Sequence, residues 1–129
     1  FNIPQVSVEG YEADDVLGTL SKSFNDNNEE VLIVTGDRDS FQLIGDKTNV
    51  LYTKRGISEV ERFGKAEFEE KYKISTSQYI EYLGLKGDSS DNIPGLPGVG
   101  EKTAINLLSD YENIEKLELL NQEMRLKEK

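Results

Sequence analysis

Residues 87–100 hold four of the chain's eleven glycines and two of its three prolines. Neither a helix nor a strand runs comfortably through such a stretch, because glycine is costly to order and proline lacks the amide that both ladders need. The chain must therefore organise itself on either side of this segment. Upstream, Val31-Leu-Ile-Val34 is a β-branched run ending at Thr35-Gly36-Asp37, the pattern of a buried strand that stops in a loop. Before it, Ile3, Val6 and Val8 read as a strand already in progress at Phe1, and Val16, Leu17, Leu20 and Phe24 recur at helical spacing over residues 14–25. Strand, helix, strand predicts a βαβ unit with parallel strands and a right-handed crossover.

Further along, residues 40–44 read as a short helix and 49–53 as a strand. Lys54-Arg55-Gly56 reads as a turn, and 57–62 as the returning strand of a hairpin. Helical patterns follow over residues 65–72 and 75–85, with Ser75 or Ser77 as cap. Beyond the glycine segment, Ala104, Ile105, Leu107 and Leu108 mark a helix over 101–108, further short helices are expected over 114–124, and residues 125–129 are expected to fray. The expected class is α/β, with a division into 1–86 and 87–129. At 129 residues and 36% hydrophobic content the chain is the size of one ordinary domain, and a single folded unit is expected.

Cysteine and histidine are both absent. Disulfides, thiolate or imidazole metal sites and imidazole-based triads are thereby removed, which leaves carboxylates as the chief candidates for chemistry and favours a reducing compartment. The longest apolar run is Val31 to Val34, so neither a membrane span nor a secretory signal is expected. The formal net charge of −10 argues at first against a nucleic-acid partner. Seven of the acids, however, stand in three tight groups, so the acidity could belong to a site rather than to a surface.

The first group is Glu12, Asp14 and Asp15. In an extended stretch Glu12 and Asp14 share a side, and in a helix Glu12 and Asp15 do. Acids at a helix start also serve simply as caps. The second is Asp37 and Asp39, directly after the strand, where alternation would put both on one side and where open α/β sheets hold ligands. The plain alternative is a polar loop with Asp39 capping the next helix. The third is Asp88 and Asp91 in Gly87-Asp-Ser-Ser-Asp-Asn92, a composition that turns also favour for local reasons. Three groups at element ends fit the oxygen-rich sets that a pair of hard divalent cations such as Mg²⁺ or Mn²⁺ requires.

Gly95-Leu-Pro-Gly98-Val-Gly100-Glu-Lys102-Thr103 leads straight into a helix. Glycines allow close backbone approach, and a helix start offers free amides and a positive dipole end, so a phosphate is the natural guest. It is not a P-loop, which needs glycine six residues and one residue before the lysine, where this chain has Leu96 and Glu101. A ligand-free turn between two helices is the plain alternative.

Gly-Tyr-Glu-Ala-Asp-Asp, Val-Thr-Gly-Asp-Arg-Asp, Gly-Asp-Ser-Ser-Asp-Asn-Ile-Pro-Gly and Pro-Gly-Val-Gly-Glu-Lys-Thr-Ala, in this order from Gly10 onward, resemble the 5′ nuclease domain of bacterial DNA polymerase I, within the flap endonuclease superfamily. The resemblance implies a PIN-like, mainly parallel sheet with flanking helices, followed by a helical DNA-binding region of the helix-three-turn-helix type. It implies two-metal hydrolysis of DNA phosphodiesters near a 5′ end or flap, by in-line attack of water. Glu12, Asp14, Asp15, Asp37, Asp39, Asp88 and Asp91 become metal ligands by this likeness, with Glu12, Asp14, Asp37, Asp39 and Asp91 central to catalysis. Gly95, Gly98, Val99, Gly100, Lys102 and Thr103 become duplex contacts, in some relatives with a K⁺ ion in the turn.

The family's first strand, its early aspartates and its helical arch would precede Phe1, so the resemblance implies an excised, C-terminal part that is weakly active or inactive alone. It further implies a bacterial, cytoplasmic, nucleoid-associated monomer, joined in nature to polymerase domains that work in replication and repair. Two other readings differ in class: a non-catalytic duplex DNA-binding module, and a PIN-type ribonuclease.

Overall fold

The computed structural model describes residues 1–54 and 58–119. The chain divides into two compact units, Phe1–Phe68 and Glu69–Lys129, where its size alone suggested one.

In the first unit, α1 (Ala13–Asp26) precedes a sheet of β1 (Val31–Thr35), β2 (Thr48–Thr53) and β3 (Val60–Phe63) in the order β1-β2-β3. β1 and β2 run parallel, with Ile33 opposite Val50, and β2 and β3 are antiparallel, with Val50 opposite Phe63. Ile33, Val50 and Phe63 are thereby aligned across the sheet and are all buried. The connection between the parallel strands carries a short 3₁₀ turn, Asp39–Leu43. It delivers Phe41 into the core, with ring centroids 4.8 Å from Phe63, 5.4 Å from Tyr52 and 6.1 Å from Phe68. Residue Phe68 belongs to α2 (Lys65–Tyr72), which follows β3 directly.

Three expectations change here. Residues Ile3, Val6 and Val8 form no strand and lie exposed. A strand exists only through ladder bonds to a neighbour, which local alternation cannot supply, and among the described residues this segment has no ladder partner. No βαβ unit is therefore completed around α1. β1 is also not the buried strand that its composition suggested: Ile33 is buried, but Leu32 and Val34 are 51% and 62% exposed. As the edge of the described sheet, β1 alternates in burial like a half-covered strand. The hairpin expectation holds in β2 and β3, although residues 55–57 of its turn lie outside the described residues.

In the second unit, Ser75 opens a 3₁₀ turn (Thr76–Gln78) that runs into α3 (Tyr79–Lys86). The Ser75 amide donates to Gln78 Oε1 at 2.9 Å. The expected helix from residue 75 thus begins as the tighter form and settles into α only at Tyr79. α4 (Glu101–Tyr111) packs beside α3, with Ile74, Tyr79, Tyr82, Leu85, Ala104 and Leu108 buried. Residues 114–119 are helical. The remainder of the expected 114–124 helix and the tail at 125–129 lie outside the described residues.

Candidate functional site

At the head of α1, Glu12 is the N-cap, still extended at φ −81° and ψ 165°. Its amide donates to Asp15 Oδ2 at 3.0 Å, so Asp15 caps the helix start. Asp14 is half-buried and accepts a hydrogen bond from Ser40 Oγ at 3.3 Å, which ties the first turn of α1 to the 3₁₀ turn after β1. The Glu12 side chain is exposed.

After β1 the extended backbone ends at Thr35, and Arg38 lies in the helical region at φ −76° and ψ −19°. Period-two alternation therefore does not carry on to Asp37 and Asp39, contrary to expectation. Instead Thr35 Oγ1 accepts the Asp37 amide at 2.9 Å, and Asp37 Oδ1 accepts the Asp39 amide at 3.0 Å. The capping role considered for Asp39 falls to Asp37. This places Asp37 as the exposed member and Asp39 as the half-buried one. Arg38 Nε donates to the Tyr52 hydroxyl at 3.3 Å, and its guanidinium carbon lies 5.6 Å from the Tyr52 ring centroid.

In the second unit, Asp88 and Ile93 close a miniature antiparallel bridge, with Asp88 N to Ile93 O at 2.9 Å and the reverse bond at 2.7 Å. Asp88 Oδ1 accepts from the amide of Ser90 at 2.8 Å and from its hydroxyl. The Ser90 hydroxyl first, then its amide, and more weakly the charge of Lys86 hold the Asp88 carboxyl below the usual carboxylate range. Asp91 is exposed in the same loop. A carboxylate held ionised in this way is a suitable donor for a hard cation.

Because its folded pKa is lowered, Asp88 adds stability that is present above the ordinary carboxyl value and is lost as pH falls through the lowered one. Ser90→Ala is expected to raise this pKa toward the ordinary value without restoring it, since the amide donor and Lys86 remain. A carboxyl-carbon NMR titration checks it. An unchanged Asp88 midpoint would show that the serine hydroxyl is not its support.

The glycine segment begins where two backbones cross. Gly87 and Gly95 both have positive φ, +83° and +64°, and a Cβ on either would lie within 2.7 Å of the other's backbone. Leu96 N donates to Leu85 O at 2.9 Å and locks the crossing. Gly98 has φ +79°, and Val99 N donates to Leu96 O at 3.0 Å. Gly100 is the N-cap of α4, extended at φ −96° and ψ −175°, and brings no side-chain cap. Among the described residues the amides of Glu101, Lys102 and Thr103 donate to no backbone acceptor, and all three side chains are exposed. Open amides at a helix start are the natural place for an anion.

The sequence matches the family described as 5′-3′ exonuclease, N-terminal resolvase-like domain, over residues 1–73, and the 5′-3′ exonuclease, C-terminal SAM fold, over residues 74–129. The chain belongs to the 5′-3′ exonuclease family. DNA polymerase I of Bacillus subtilis is 50% identical over 117 residues, which cover 91% of this chain and 13% of that protein. A 5′-3′ exonuclease of the same organism is 43% identical, over 89% of this chain and 38% of that protein. Among solved structures, the T5 5′-exonuclease with bound zinc ions matches with a TM-score of 0.79 at 23% identity, over 90% of this chain and 42% of that one. The bacteriophage T5 flap endonuclease in complex with DNA and metal ions gives 0.78 at 22%. The chain therefore spans less than half the length of each of these relatives. Its α/β unit and its helical unit follow the exonuclease fold, and the two family domains meet between residues 73 and 74.

Sequence reasoning missed two participants in this geometry. Ser40 holds Asp14, and Ser90 holds Asp88. A serine two residues after an aspartate is a visible turn signal, whereas the Ser40 contact depends on how α1 packs and leaves no local trace.

Proposed function

We propose that this chain is the C-terminal part of a structure-specific 5′-3′ exonuclease or flap endonuclease acting on DNA, within a bacterial DNA polymerase I or a free-standing nuclease. The observation that carries the reading is the glycine-led, uncapped start of α4, in a chain whose sequence matches the exonuclease family along its whole length. Exposed Lys102 and Thr103, together with the amides of Glu101 to Thr103, bind the phosphate backbone of a duplex with a 5′ end or flap. Gly95, Gly98, Val99 and Gly100 shape that turn; a K⁺ ion in it is part of the same proposal. Backbone contacts of this kind read DNA form and not base sequence.

The acids Glu12, Asp14, Asp15, Asp37 and Asp39 of the first unit, and Asp88 and Asp91 of the second, serve as metal ligands. All of them offer oxygen, in a chain without histidine or cysteine, which suits Mg²⁺ or Mn²⁺. Bound divalent cations supply the Lewis acidity that activates water and stabilises the leaving oxygen. The residues themselves orient: Ser40 steadies Asp14, the Asp37 carboxylate fixes the amide of Asp39, and Ser90 holds the Asp88 carboxyl below the usual carboxylate range. No protein nucleophile is required. At 38% of a free-standing exonuclease's length, the chain alone cleaves slowly or not at all, as a monomer that binds duplex.

The test separates binding from chemistry. Lys102→Ala is expected to weaken binding of a 5′-flapped duplex about equally for all sequences, and to lower the steepness of its salt dependence by roughly one unit. Asp37→Ala is expected to leave binding unchanged or slightly tighter in metal-free buffer, because it removes negative charge near the substrate. Fluorescence anisotropy across a salt series reads both. If Lys102→Ala binds like the parent throughout, the phosphate assignment is wrong.

A further inference from the structure

So far Lys86 enters only through its weak effect on Asp88, yet its placement is distinctive. It is the last residue of α3, and it is half-buried. A lysine in the last turn of a helix ordinarily reaches the free carbonyls there. This one turns back, with its ammonium 5.2 Å from the ring centroid of Tyr82, a residue only 2% exposed. No carboxylate lies within ion-pair distance of it among the described residues. It lines a cleft of about 520 Å³ together with Asp88, Ser89 and Asn92.

The backbone that carries it is fixed from both sides. Gly87 N donates to Leu83 O at 2.7 Å, and Gly95 packs so closely that a Cβ there would sit 2.5 Å from the carbonyl carbon of Lys86. Lys86 and Lys102 therefore flank the glycine segment, one on the last turn of α3 and the other on the first turn of α4. The cleft offers an anion one ammonium, one hydroxyl and one amide donor, and its Asp88 carboxylate, though ionised, is bonded to Ser90 and is not an ion-pair partner of Lys86.

We infer that Lys86 binds a further phosphate of the same nucleic-acid backbone that is held at the start of α4. The inference rests on the duplex-binding reading above and adds a specific contact to it. The buried Tyr82 ring holds the ammonium in place, and cation–π contact leaves its three donors available for the phosphate oxygens.

The experiment titrates a 5′-flapped DNA duplex with the 129-residue chain in metal-free buffer over a salt series, with folding checked by circular dichroism. Lys86→Ala is expected to weaken binding roughly tenfold and to lower the salt slope by about one unit. Lys86→Arg should keep the slope. Lys22→Ala, which removes the same charge from an exposed pair with Asp26, should bind like the parent. If the parent binds while Lys86→Ala keeps the parental slope, or while Lys22→Ala loses as much, Lys86 is no phosphate contact and the duplex-binding reading stands without it. If the parent fails to bind at all, that reading falls and takes this inference with it.

Discussion

Gly95→Ala is expected to destabilise the second unit by about 3 kcal/mol or more. Part of that cost is the left-handed backbone, about 1 kcal/mol for an L-residue at φ +64°. The greater part is steric. The added methyl would lie 2.5 Å from Gly87 N and 2.6 Å from Lys86 O, and these are backbone atoms that cannot rotate aside. Relief requires separating the two backbone segments, which breaks the Leu96 to Leu85 hydrogen bond and the Asp88–Ile93 bridge. Gly98→Ala is the matched control, since its φ of +79° carries the same strain while nothing lies within 4 Å of the new methyl. Urea unfolding of the two variants should separate them by about 2 kcal/mol, and equal losses would mean that the crossing is not tight.

The second large effect is on binding. Gly100→Val should leave the fold nearly intact, because the position is extended and open, with about 1 kcal/mol lost from the poorer N-cap. A branched side chain there stands directly before the free amides of Glu101, Lys102 and Thr103. Losing two charge-assisted hydrogen bonds to phosphate would lower duplex affinity on the order of 100-fold. Anisotropy with the flapped duplex reads this directly. Parental affinity in a folded Gly100→Val chain would remove the start of α4 from the interface. The pairing is informative because the first substitution damages the protein and the second damages only its approach to a ligand.

Local chemistry made much of this legible in advance. The β2–β3 hairpin, the helix over residues 65–72 and the helix after Gly100 follow from alternation, helical spacing and glycine placement, signals that act over a few residues. The four ordered motifs identified the family because each combines residue types that neither a helix nor a strand needs for itself. What stayed hidden depended on neighbours distant in sequence. Among the described residues the strand expected at Val6 has no ladder partner, and Leu32 and Val34 are exposed because β1 is the edge of the described sheet. Within the site, the Asp37 and Asp39 side chains depart from alternation because the chain leaves the extended state at Gly36. Gly36 does mark the end of the strand, but alternation was carried past it to Asp37 and Asp39, and where those side chains turn depends on the hydrogen bonds of the loop.

Gln78 gives the second unit a property that its hydrophobic contacts alone would not. The side-chain amide of Gln78 donates to the carbonyls of both Leu108 and Glu112, at 2.9 and 2.7 Å, while its oxygen accepts the Ser75 amide. One residue ahead of α3 thus gives the Glu112 carbonyl a donor and adds a second to that of Leu108, which already accepts the Glu112 amide. Fraying at that end loosens the grip on the 3₁₀ turn before α3, which couples the opening of the two helices. The start of α4 is then kept in register by a clasp at the helix's opposite end, beyond the reach of anything bound there.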